Sequence, residues 1–80
     1  MVTTINGEVE AGIVFRNGIA TPAWIKYNNN TIRFKKVVYR WSEKKGEENI
    51  IKFTLTDSQK IYEIAFNTKT LKCFLVAVDE

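Results

Sequence analysis

Ile50-Ile51-Lys52-Phe53-Thr54-Leu55-Thr56, Lys60-Ile61-Tyr62-Glu63-Ile64-Ala65-Phe66 and Leu71-Lys72-Cys73-Phe74-Leu75-Val76-Ala77-Val78 are runs separated by the polar clusters Asp57-Ser58-Gln59 and Asn67-Thr68-Lys69-Thr70. In the first, Ile51, Phe53 and Leu55 alternate with Lys52, Thr54 and Thr56; in the second, Tyr62, Ile64 and Phe66 repeat the pattern. A period of two belongs to half-buried strands, and short connections make consecutive strands antiparallel neighbours. Residues 50–78 therefore read as a three-stranded meander. The last run is apolar on both parities, Phe74, Val76 and Val78 on one and Cys73, Leu75 and Ala77 on the other. Such a strand is covered on both faces, so it lies centrally or crosses between layers.

Working back along the chain, Thr31 to Trp41 is the longest element, and its parity changes midway. Ile32 and Phe34 share one face, Val37, Tyr39 and Trp41 the other, with Lys35 and Lys36 between. This predicts a bulge or bend near Lys35-Lys36, in one long strand that joins two sheets. Trp41 is expected to pack in the core against the meander. Ser42 to Asn49 is wholly polar and predicts the longest loop.

Asn17-Gly18 and Asn6-Gly7 carry the strongest short signal for a two-residue hairpin turn, and Asn28 to Asn30 forms another polar turn. Asn6-Gly7 has little apolar sequence to pair across it, so residues 1–10 read as an arm or an edge strand. Pro22 has no N–H to give to a ladder, which makes Ile19 to Ala23 an edge or a connection, followed by a strand over Trp24 to Tyr27. No segment sustains a helical period. The expected architecture is a single all-β domain over residues 1–80, an SH3-like barrel of about five or six antiparallel strands, with a partly open OB-like barrel as the alternative.

Composition bears on function chiefly by exclusion. The chain has no histidine, which removes the commonest general base and metal ligand, and its glycines are scattered, so no phosphate-cradling loop forms. Ser42 and Ser58 stand in polar segments without a base beside them. Cys73 is the only cysteine and lies in an apolar run, the setting of an inert buried thiol. Neither a catalytic nor a metal-binding constellation is present, no cofactor is implied, and the chain reads as no enzyme. Nothing resembles a signal peptide or a membrane span, which makes the cytoplasm the expected compartment.

One feature of the charge distribution does point to a partner. Ala11 to Ser42 holds six basic residues (Arg16, Lys26, Arg33, Lys35, Lys36 and Arg40) and no acidic one, whereas Glu43 to Glu80 holds six basic and seven acidic. Aromatic residues interleave with these bases, and cations beside ring faces bind single-stranded nucleic acid. On that reading Lys26, Arg33, Lys35, Lys36 and Arg40 contact phosphates while Trp24 and Tyr27 stack on bases. The competing reading is a protein-interaction or oligomerising module, because Trp, Tyr and Arg dominate binding hot spots and an edge strand can pair with another chain. A solvated outer face accounts for lysines between apolar residues without either role.

Phe15-Arg16-Asn17-Gly18 with Pro22 and Trp24, the run Ile32 to Trp41 ending in Arg40-Trp41, and the closing Phe74-Leu75-Val76-Ala77-Val78-Asp79 together resemble a group of small uncharacterised bacterial all-β domains. Those domains share a hydrophobic-Gly-x-Pro opening, a strand ending in Arg-Trp and a final strand closing on Val-x-Asp. This chain departs from them in the spacing around Pro22, and at Cys73 or Phe74, where a tryptophan often sits. The resemblance implies a fold and brings no catalytic residues.

Overall fold

The computed structural model describes residues 1–80 as seven strands and no helix: β1 (Val2–Arg16), β2 (Ile19–Tyr27), β3 (Asn30–Arg33), β4 (Lys36–Lys45), β5 (Glu48–Thr56), β6 (Ile61–Asn67) and β7 (Cys73–Asp79). They form one antiparallel sheet in the order β3-β2-β1-β7-β6-β5-β4. The meander over residues 50–78 is present, and β7 lies centrally between β1 and β6, as its two apolar faces require.

The remaining expectations need correction in four places. The count is seven strands, and no ladder links β3 to β4, so the sheet is not a closed barrel of five or six. Residues 1–10 are no arm but an edge: they form the first half of β1, paired on one side only, with β7 over Val2 to Val9, while Glu10 to Arg16 pairs with β2. The strand that joins two layers is thus β1. Asn6-Gly7 marks a bulge in it, with Asn6 at φ 53, where Ile5 and Asn6 together oppose the single residue Val76.

The third correction concerns Thr31 to Trp41, which is two strands. Phe34 N donates to Ala23 O at 3.0 Å, and the next amide, Lys35 N, donates to Thr56 O at 2.8 Å. Within two residues the chain leaves β2 for β5, and a separate bulge at Val38 then resets the parity of β4. Fourth, Ser42 to Asn49 is no loop, because Lys45 pairs with Glu48 across the two-residue turn Gly46-Glu47, with Gly46 at φ 64.

The expected hairpin at Asn17-Gly18 forms, and the polar turn expected over Asn28 to Asn30 is a two-residue connection at Asn28-Asn29, since Asn30 already pairs with Tyr27; each has both turn residues at positive φ, the twist that suits such a connection. Pro22 is accommodated at a bulge, opposite Ile13, in the half of β2 that β3 does not reach. Next to it, Gly12 faces Trp24 across the ladder, and the indole lies over the glycine: a Cβ built there would overlap Nε1 and Cε2 of the ring. Only a residue without a side chain fits beneath that ring.

Between the two layers lie Ile25, Phe53, Leu55, Ile64 and Leu75, the largest fully buried side chains. Each such residue contributes about 1.5–3 kcal/mol by leaving water. Phe34 seals the corner, its ring meeting that of Tyr62 edge to face at 5.5 Å and 63°. The Tyr62 hydroxyl donates to Asp57 Oδ2 at 3.0 Å, and Asp57 Oδ1 accepts the amides of Gln59 and Lys60, which shapes the β5–β6 turn. Partial burial and this bond hold the Tyr62 phenol at about 12. Asp57 is held below the usual carboxylate range: burial opposes its charge, but the amides of Lys60 and Gln59 and the Tyr62 hydroxyl outweigh it.

Candidate functional site

The change of neighbours at Phe34-Lys35 opens a cleft of about 440 Å³ between the tip of the β1–β2 hairpin and the start of β4. Directly opposed residues in an antiparallel pair share a face, so Val14 with Thr21 and Arg16 with Ile19 form one wall. Lys36 and Val37 form the other, Phe34 and Lys35 the corner, and buried Leu55 the floor. The tight Asn17-Gly18 turn holds the first wall, and the Lys35 to Thr56 amide bond fixes the second.

Three cations, Arg16, Lys35 and Lys36, edge this apolar trough, and no carboxylate lines it. None of the three is in an ion pair; elsewhere Lys52 lies 3.7 Å from Glu43 and 3.9 Å from Glu63, Lys60 lies 2.7 Å from Glu80, and Lys72 lies 3.9 Å from Glu8. An aliphatic floor beside unmatched positive charge suits an apolar group with an anion next to it. Phe34, the one ring in the cleft, is already engaged with Tyr62.

The seven residues singled out from sequence are distributed over four locations. Trp24, Lys26 and Arg33 share the outer face of β2 and β3, where Trp24 opposes Arg33 and Lys26 opposes Thr31. Lys35 and Lys36 belong to the cleft. Arg40 is on the inner face of β4, its guanidinium carbon 5.8 Å from the centre of the Phe53 ring, where it caps the core. Tyr27 is half-buried and packs against the core.

Trp41 is likewise not where the sequence placed it. The bulge at Val38 turns Tyr39 and Trp41 outward, opposite Thr54 and Lys52. There the two rings stack at 5.4 Å and 29°, and Trp41 Nε1 donates to Glu43 Oε1 at 3.3 Å. With Glu63 also close to Lys52, this aromatic surface is flanked by carboxylates that repel phosphate.

Arg16 and the aliphatic residues Val14, Ile19 and Val37 were missed as site residues. The Asn17-Gly18 turn does pair Arg16 with Ile19, but no local signal says that this hairpin faces β4. Cys73 is buried, which pushes its thiol up to about 11 and leaves it protonated at neutral pH. No group of three or more acidic or cysteine side chains gathers to hold a metal ion, and no helix is long and apolar enough to cross a membrane. The chain matches no protein-family model, and neither a curated protein nor a solved structure matches it.

Proposed function

We propose that the protein is a non-catalytic interaction module of the cytoplasm, and that it holds a segment of a partner protein in the cleft between the β1–β2 hairpin and β4. The observation that carries this reading is the pairing of an apolar floor with Arg16, Lys35 and Lys36 and no carboxylate.

A second reading, single-stranded nucleic acid, rests on Trp24, Lys26 and Arg33 sharing one outer face. It is weaker because Trp24 is half-buried over Gly12 and Lys26 neighbours Glu10 across the ladder. One titration separates the two. Isotope-labelled protein is mixed in turn with a peptide of alternating valine and aspartate and with a short oligothymidylate, at low and moderate salt. Shifts at Val14, Lys36 and Val37 with the peptide alone support the cleft. Shifts at the Trp24 indole with the oligonucleotide, stronger at low salt through counterion release, would transfer the function to the other face.

A further inference from the structure

Strand β4 is the long open edge of the sheet. It pairs with β5 alone, so along Lys36–Lys45 one side of its backbone has no strand partner. The bulge at Val38 interrupts only its beginning, and from Tyr39 to Lys45 the register runs without a shift. Such an edge is a template for a further strand unless something prevents it.

The charges on this edge determine which strand it accepts. Lys36, Arg40, Lys44 and Lys45 stand along it against Glu43 alone, and all four are exposed and outside any ion pair. Pairing the whole strand antiparallel with its own copy sets Lys36 opposite Lys45 at both ends. Like charges directly opposed are destabilising, so the edge is protected against a second copy of this chain. The same cations are complementary to carboxylates. The start of β4 also forms one wall of the cleft, through Lys36 and Val37.

Building on the cleft reading, we infer that the partner segment is an extended, acidic stretch of another protein that adds as a strand along Tyr39–Lys45 and continues past Val38 into the cleft. Its backbone hydrogen-bonds to β4. Its carboxylates meet Arg40, Lys44 and Lys45, and an apolar side chain enters beside Val37 over Leu55. The edge supplies affinity through main-chain bonds, and the cleft supplies selection.

The test uses the full chain with four synthetic peptides: the valine–aspartate peptide, its valine–lysine counterpart, and two versions of the first N-methylated on one or the other alternate set of residues. Strand addition predicts that the acidic peptide binds with shifts along Tyr39–Lys45 and that the lysine peptide does not bind. One N-methylated set, the one facing β4, should weaken binding by about tenfold or more while the other is tolerated. The charge reversal Lys44→Glu with Lys45→Glu should weaken binding about tenfold at low salt, with the difference closing as salt is raised.

Binding confined to the cleft and indifferent to both methylated sets would overturn strand addition and leave the cleft reading standing. Failure of the acidic peptide to bind at all would remove both. A peptide-free dimer joined through β4 would also overturn the inference, because it would show that the cations do not keep the edge open.

Discussion

Strands β4 to β7 and strands β1 to β3 are built from similar alternating sequences, yet they differ in how deeply their side chains are buried. The meander supplies Phe53, Leu55, Ile64 and Leu75 of the largest fully buried side chains, and the other layer supplies Ile25. Lys52 and Lys60 of the meander have carboxylate partners, whereas Arg16, Lys26 and Arg33 of β1 to β3, like Lys36, Arg40, Lys44 and Lys45 of the edge strand β4, have none. The thinly buried layer and the edge strand thus both carry unmatched positive charge. The proposed site lies where that layer meets the open edge of the meander, and the meander acts as its scaffold.

The largest expected effect tests the scaffold side of this contrast. Phe53→Ala removes a ring that is 0% exposed at the centre of the core, and it should cost about 3–5 kcal/mol in urea unfolding. Should Phe53→Ala prove mild, the meander would not be the load-carrying half. Gly12→Ala probes the thinner layer. The new methyl displaces the Trp24 indole, with an expected cost of about 1–3 kcal/mol and a shift in tryptophan emission. Adding Trp24→Ala should recover part of that loss, and a simple sum of the two costs would show that the ring and the glycine do not interact.

Asp57→Ala should cost about 1–2 kcal/mol, since it removes the acceptor for two turn amides and the Tyr62 hydroxyl. Its pH dependence sharpens the point. A carboxylate whose folded value lies below the ordinary 3.8 stabilises the fold above that pH and loses its contribution as pH falls through the folded value. Tyr62 acts in the opposite sense: with its phenol held at about 12 against an ordinary 10.0, its contribution is complete below pH 10.0 and is lost as pH rises from there. Asp57→Ala should flatten the acid limb of a stability profile and Tyr62→Phe the alkaline limb.

Lys52→Gln, which leaves Glu43 and Glu63 without their shared cation, is expected to cost about 0.5–1 kcal/mol at low salt and less at high salt. Least of all, Lys35→Gln and Lys36→Gln should leave the unfolding midpoint in place while reducing peptide binding in the cleft. A marked loss of stability in either variant would mean that these lysines hold the fold together instead of standing free at the cleft.

Turns and meander were legible because they depend on neighbours in sequence. Asn17-Gly18 and Asn28-Asn29 turn where positive φ is needed, and the alternation of Phe53 with Thr54 or of Ile64 with Glu63 states which side is buried. Asn6-Gly7 shows the limit of that logic. The same dipeptide gives a hairpin at one site and a bulge at the other, because positive φ suits both and only the available pairing partner decides between them. For Val2 to Val9 the partner is β7, at the far end of the chain. Trp41 was misplaced for a related reason: one extra residue at Val38 reverses every later side chain, and a bulge leaves no mark in composition.

The alternation of apolar and polar residues, the left-handed turn residues and the clustering of cations between Ala11 and Ser42 were determined by the sequence alone, since each is a property of adjacent residues or of a count. Which cations stand together was decided only by the tertiary structure. Arg16 joins Lys35 and Lys36 because the chain changes partner strands within two residues at Phe34-Lys35, and Arg40 leaves them because a bulge turns it over Phe53. Both are consequences of long-range ladder register, which depends on packing between distant segments and is written in no short stretch of the chain.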